Sequence, residues 1–224
     1  MAETKTYTPL DPTGLSRLVV ILLYVDIAAA VVSTLAAAVE FRAYGALPGD
    51  TAATFGGGPD LPPMVEVIRG LGGLVQVLAF LVVGFFILKW IYRTSRNAHA
   101  LAKGLRITPP WAVGWFFVPI AFLFKPYQAF RETWQVSSNP AAWASEPTPS
   151  LLGWWWGRWL VSNILGNISS RISFSAKTVD LQMISDAVEV ASTLMSIPAD
   201  LVFIVVVQRL SRMQTKAISQ QVFA

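Results

Sequence analysis

The apolar run from Leu18 to Val39 constrains the fold most strongly, because its 22 residues carry a single charge, at Asp26. At about 1.5 Å per residue, a helix of that length reaches about 33 Å, enough to cross a hydrocarbon core of about 30 Å. Ala36 to Ala38 resembles a signal-peptidase site, but the run exceeds the ~7–15 apolar residues of a signal peptide. We therefore expect a retained transmembrane helix.

Composition also indicates a membrane protein. Charged residues make up 13% of the 224-residue chain, whereas ordinary soluble domains carry about 25%. The net charge of +4 does not indicate nucleic-acid binding, because the basic residues lie beside apolar runs, as juxtamembrane charges do. The absence of cysteine excludes disulfides and cysteine-ligated iron–sulfur or zinc sites. The sole histidine, His99, excludes bis-histidine haem within one chain, and we expect no cofactor and no metal.

The pattern predicts an all-α integral membrane protein that forms one transmembrane domain, residues 15–224, after a flexible tail, residues 1–14. Four spans are expected at about 15–40, 65–90, 151–170 and 181–208. Gly104 is expected to stop the second helix. Thr108 and Pro109 are expected to begin the aromatic segment that follows it.

That aromatic segment, residues 111–124, is too short to span. Its 14 residues reach about 21 Å as a helix, and Pro119 is expected to kink it. An amphipathic helix follows at 126–137. We therefore predict a re-entrant or interfacial hairpin on the cytoplasmic side, residues 109–137.

The positive charges favour this four-span arrangement with both termini in the cytoplasm. It places twelve Lys and Arg residues inside: Lys5, Arg17, Lys89, Arg93, Arg96, Lys103, Arg106, Lys125, Arg131, Arg209, Arg212 and Lys216. It places four outside: Arg42, Arg69, Arg171 and Lys177. A five-span arrangement would reduce the contrast to nine inside and seven outside.

Basic and aromatic residues of the hairpin and its flanks are candidates for binding anionic lipid or a membrane-protein partner. They are Arg93, Arg96, Arg106, Trp111, Lys125, Tyr127, Arg131 and Trp134. The alternative is that these charges set only the topology.

Polar residues within the predicted spans form a second group, since each charge at mid-bilayer costs about 2.5–3.5 kcal/mol on insertion scales. They are Asp26, Gln76, Arg158, Asn163 and Asp200. Small residues share their helix faces, which is typical of helix–helix contact in lipid. An Arg158–Asp200 ion pair is a specific hypothesis. The group is interpreted either as structural contacts or as a path for protons, ions or substrate.

No catalytic constellation is visible. Gly56 to Gly58 lack the lysine and hydroxyl of a phosphate-binding loop, and His99 has no identifiable nucleophile or acid partner. We therefore expect no enzymatic activity.

A run of motifs between residues 85 and 210 resembles the bacterial membrane family catalogued as domain of unknown function 4328. These motifs are WIYR at 90–93, PWAVGWFF at 110–117, KPYQ at 125–128 and RExW at 131–134. The resemblance implies fold and membrane location, and it carries no established activity. We thus expect a non-enzymatic accessory or scaffold protein of the bacterial inner membrane. It would contact lipids and either a larger membrane-protein complex or further copies of itself; the alternative is a small transporter or channel.

Overall fold

The computed structural model describes residues 6–44 and 63–222, with side chains for all of these except 33, 36–44, 63–73, 75, 76, 221 and 222. The regular structure of the described residues is helical, which confirms the all-α class. The long helices are α1 (Thr13–Tyr44), α2 (Pro63–Leu101), α4 (Lys125–Ser138), α5 (Ser150–Ser175) and α6 (Val179–Val222). A short helix, α3 (Pro109–Gly114), and three 3-10 turns (Trp115–Phe117, Ala121–Leu123 and Trp143–Ser145) complete the described elements.

Within the described residues, three helical stretches are long and apolar enough to cross a membrane: Thr13–Val32, Val77–Leu101 and Val179–Gln220. The third predicted span, 151–170, falls in α5, which is not among them. Tryptophan, serine, asparagine and arginine residues make α5 less apolar than the other long helices. The count of four spans therefore stays a prediction.

Part of the predicted flexible tail contacts α2. The N–H of Leu10 donates to Oδ1 of Asn97 at 2.8 Å, and Nδ2 of Asn97 donates to the Leu10 carbonyl at 2.8 Å. The helix α1 then begins at Thr13, whose N–H donates to Oδ1 of Asp11 at 2.9 Å. Residues 6–12 are thus bonded in place rather than free, while residues 1–5 lie outside the described residues.

The chain divides into two compact units. The first, which we call the aromatic unit, comprises residues 1–23, 82–156 and 201–224. Its core is a cluster of large rings: Trp155 stacks on Phe203 with centroids 4.6 Å apart, and Phe130 meets Trp155 edge-on at 4.7 Å. Trp90 is fully buried against Phe203 at 5.8 Å.

A buried polar network joins three helices of the aromatic unit. Nε2 of Gln214 donates to the Thr94 carbonyl at 2.8 Å and to Oγ of Ser137 at 3.1 Å, and its Oε1 accepts from Nδ2 of Asn97 at 3.0 Å. Gln214 and Asn97 are both 0% exposed. Because these buried polar groups have hydrogen-bond partners, the bonds offset the cost of desolvation, and the network favours one register of α2, α4 and α6.

The second unit, which we call the serine unit, comprises residues 24–81 and 157–200. Here α5 and α6 pack antiparallel through serine pairs. Ser169 and Ser185 each donate to the other's carbonyl, at 3.0 and 2.9 Å. Two turns away on both helices, Oγ of Ser192 donates to the Ser162 carbonyl at 3.0 Å. Small residues allow the two backbones to approach closely, as in helix contacts within lipid.

Candidate functional site

The aromatic segment is broken rather than helical throughout. The helix α3 ends at Gly114, Val118 is extended, and Ile120 has a positive φ of 65°. The cause is Pro119, which lacks a backbone N–H and disfavours the helical conformation of the residue before it. The sequence predicted a kink at Pro119; the structure shows a break in the helix, and α4 begins at Lys125.

A loop held by Glu132 leads from α2 into this segment. The helix α2 ends at Leu101, and Gly104 has a φ of +86°, which agrees with its predicted role in stopping the helix. The N–H groups of Arg106 and Ile107 both donate to Oε2 of Glu132, at 3.1 and 3.2 Å. Thr108 is the N-cap residue of α3 and Pro109 its first helical residue, as expected, although the Thr108 side chain makes no capping hydrogen bond.

Between this loop and α4 lies a cavity of about 470 Å³, which we call the hairpin cavity. Its lining includes the cations Arg106, Lys125 and Arg131 and a single carboxylate, that of Glu132. Because Glu132 accepts two backbone N–H groups, part of its charge is already compensated. The described lining therefore favours an anion.

Tryptophans form the other part of the hairpin cavity. Trp111 and Trp115 lie with ring centroids 4.5 Å apart, and the Lys125 ammonium is 5.8 Å from the Trp115 ring. Trp143 also lines the cavity and donates its Nε1 proton to the Lys103 carbonyl at 3.2 Å. Aromatic rings beside cations are typical of membrane–water interfaces.

The turn beside the hairpin cavity presents apolar side chains outward. Phe117 and Ile120 are 72% and 73% exposed, and Phe124 is also exposed. Trp156 anchors this turn to α5 by donating Nε1–H to the Leu123 carbonyl at 2.8 Å. An anchored turn with exposed large apolar residues is suited to insertion into an apolar phase.

The structure separates the predicted binding residues into two groups. Arg106, Trp111, Lys125 and Arg131 line the hairpin cavity; Arg93, Arg96, Tyr127 and Trp134 do not. Of the second group, Arg93 donates to the Asp11 carbonyl and Arg96 to Oγ1 of Thr8. Trp134 is buried and Tyr127 half-buried.

Sequence reasoning missed two tryptophans of the site. Trp115 follows Trp111 by one helical turn, so the spacing contained the signal. Trp143 lies outside the predicted hairpin, residues 109–137, and only the folded chain brings it to the cavity.

Two of the predicted intramembrane polar residues make hydrogen bonds that the structure describes. Arg158 donates Nη2–H to the sulfur of Met195 at 3.9 Å, and Asn163 donates to the Trp159 carbonyl of its own helix at 2.8 Å. Asp26 and Asp200 are half-buried, and the Arg158–Asp200 pair stays a prediction. The Gln76 side chain lies outside the described side chains.

The family described as Domain of unknown function (DUF4328) matches residues 64–212, about two thirds of the chain and the whole of the hairpin cavity. Neither a curated protein nor a solved structure matches the chain. With the match covering more than half of its length, the chain belongs to the DUF4328 family.

Proposed function

We propose that the protein is a non-enzymatic accessory protein of the bacterial inner membrane that binds anionic lipid headgroups in the hairpin cavity. The observation that carries the proposal is the convergence of Arg106, Lys125 and Arg131 on one tryptophan-lined cavity. Each basic residue near an anionic membrane surface contributes about 1 kcal/mol of attraction, so three on one cavity favour a negatively charged headgroup.

Membrane placement supports the proposal. Large apolar residues are exposed along the candidate spans, among them Val32 at 65% and Phe80 at 68%. A protein in water rarely exposes apolar patches of this extent, whereas a lipid-facing helix requires them. In the proposed placement both termini are cytoplasmic, and the apolar turn at Phe117 and Ile120 dips into the cytoplasmic leaflet as a re-entrant hairpin.

A cysteine-free chain allows a direct test. The variant Ala144→Cys places a fluorophore on the lining of the hairpin cavity. Labelled protein is titrated in nanodiscs of phosphatidylcholine with increasing phosphatidylglycerol. We expect Arg106→Gln with Arg131→Gln to raise the half-saturating fraction of anionic lipid on the order of tenfold, since two basic contacts are lost.

The matched control removes two positive charges elsewhere, at Arg171 and Lys177. Both are exposed, in the serine unit and its connecting turn. It should shift the titration less than about twofold. The site would be refuted if the half-saturating fraction of anionic lipid shifted equally in the Arg106/Arg131 variant and the control, or did not shift in the Arg106/Arg131 variant. Lipid binding that persists only in crude membranes would instead assign the surface to a protein partner.

Transport is a second candidate, favoured by two half-buried carboxylates, those of Asp26 and Asp200, in the apolar helices of the serine unit. Carboxylates inside a membrane bundle are costly and often mark ion or proton paths. Asp26→Asn with Asp200→Asn distinguishes the two functions in proteoliposomes. A stable variant with altered proton or solute flux supports transport, whereas unchanged flux with intact lipid binding supports the accessory role.

A further inference from the structure

We infer that the protein has a second binding site for an anionic phospholipid, in a groove between the first turns of α1 and the last turns of α6. The groove has a volume of about 790 Å³ and shares no residue with the hairpin cavity. It rests on the same membrane placement as the proposed function and on none of the hairpin's residues. We call it the terminal groove.

Charge identifies the chemistry of the occupant. Arg17 on α1 faces Arg212 and Lys216 on α6 across the groove, and the described lining contains no carboxylate. Outside the lining, Asp11 accepts hydrogen bonds from the N–H and Oγ1 of Thr13 and interacts with Arg17. Arg212 and Lys216 lie one helical turn apart, so both can reach one phosphate.

The lining also changes in polarity along α1. The groove passes from Thr13 and Arg17 at the helix start to Val20 and Ile21 one turn further on, and Ile21 is 59% exposed. This direction leads into the apolar stretch Thr13–Val32. A phospholipid has the same order of groups: a phosphate at the cations, then acyl chains along the apolar side chains.

The hydroxyl groups of the terminal groove are already engaged. Ser16 donates to the Thr13 carbonyl at 2.9 Å, Thr215 to the Ser211 carbonyl at 3.0 Å, and Ser219 to the Lys216 carbonyl at 2.8 Å. They do not provide free donors to read a sugar or glycerol headgroup. The neutral polar groups that remain in the lining are those of Gln208 and Ser211, beside three cations. Recognition therefore rests mainly on the cations, and we expect the groove to select for negative charge rather than for one headgroup.

The test uses Ser219→Cys, labelled with a fluorophore, beside the Ala144→Cys reporter of the hairpin cavity. Both reporters are titrated in nanodiscs with phosphatidylglycerol, with cardiolipin at equal charge, and with inorganic phosphate in pure phosphatidylcholine. We expect both lipids to saturate the reporter at 219 equally, and inorganic phosphate to have no effect on it.

Substitutions then separate the two sites. Arg212→Gln with Lys216→Gln should raise the half-saturating lipid fraction at the 219 reporter on the order of tenfold and leave the 144 reporter within about twofold. Arg106→Gln with Arg131→Gln should raise the half-saturating lipid fraction at the 144 reporter on the order of tenfold and leave the 219 reporter within about twofold. The Arg171/Lys177 control should change neither titration. Far-UV circular dichroism of each variant checks that the helices remain folded.

Three results would overturn the inference: an unchanged 219 titration in the Arg212/Lys216 variant, saturation by inorganic phosphate alone, or a 219 response that follows the Arg106/Arg131 substitution. Because the two reporters are read independently, failure of the terminal groove leaves the hairpin result intact, and failure of the hairpin leaves the groove result intact.

Discussion

The aromatic unit and the serine unit join their helices in opposite ways. In the aromatic unit, large rings such as Trp90 and Phe203 fill the interior, and a glutamine–asparagine network crosses it. In the serine unit, the hydroxyl groups of Ser169 and Ser185 each donate to the other residue's backbone carbonyl, and Gly166 leaves room for Ser192. The large apolar side chains of the serine unit, such as Phe80, face outward.

Two physical effects distinguish these ways of joining helices. Burying large rings stabilises a fold strongly when the alternative is water. Between helices surrounded by lipid that gain disappears, since the acyl chains are as apolar as the side chains, and close backbone packing with interhelical hydrogen bonds takes its place. Ring burial therefore stabilises the aromatic unit, and close packing with hydrogen bonds stabilises the serine unit.

The largest effect is expected from Trp90→Ala in the aromatic unit. Trp90 is 0% exposed and donates Nε1–H to Oγ of Ser211 at 3.1 Å. Its removal leaves a large cavity and should lower the free energy of unfolding by about 3–5 kcal/mol. Chemical unfolding in detergent, followed by circular dichroism, measures the change. Trp154→Ala, at a side chain 65% exposed, is the matched control, and an equal loss there would contradict a ring-packed core.

An intermediate effect is expected from Gly166→Leu in the serine unit. A Cβ at Gly166 would lie 3.4 Å from Oγ of Ser192, so a leucine would push α5 and α6 apart. We expect a loss of about 1–3 kcal/mol, as for overpacking of a tight contact. Gly157→Leu is the control, since a Cβ there meets no atom within 4 Å. Equal stability of both variants in bilayers would show that close packing does not hold this unit.

The smallest effect concerns pH at the start of α1. Hydrogen bonds from the hydroxyl and N–H of Thr13, with Arg93 and Arg17 nearby, hold the pKa of Asp11 below its usual 3.8. A lowered folded-state pKa stabilises the protein above pH 3.8, and that stability is lost as the pH falls through the lowered pKa. Because Asp11 is exposed, we expect only a slight fall in Tm between pH 5 and pH 3, reduced in Asp11→Asn.

A pH response of equal size in Asp11→Asn would assign the transition to other carboxylates. The melting temperature, read at constant ionic strength, distinguishes these outcomes because screening by salt is then the same in both proteins.

Helix positions followed closely from local sequence. The predicted spans at 15–40 and 181–208 lie within α1 and α6, and the predicted helix at 126–137 matches α4 within one residue at each end. Prolines, glycines and apolar runs affect the segment in which they lie, so their effects can be predicted without knowing the fold. The break at Pro119 was harder to predict, because a proline either kinks or ends a helix according to its neighbours.

The candidate sites show the limit of such reasoning. Arg106, Lys125 and Arg131 were predicted as candidates for binding anionic lipid or a partner. Arg93 and Arg96 were grouped with them because they are near in sequence. In the structure those two donate hydrogen bonds to the N-terminal segment and do not line the hairpin cavity. The terminal groove was not predicted, since it joins residues about 200 positions apart in the chain.

The sequence by itself determined the helical class, three stretches apolar enough to span, and membership of the DUF4328 family. These depend on composition, periodicity and short motifs, which are local properties. Only the tertiary structure decided which cations share a cavity, that Asn97 and Gln214 share a buried network, and that serines pair α5 with α6. Such pairings depend on the rotation and offset of each helix, which are set by packing between segments distant in the chain.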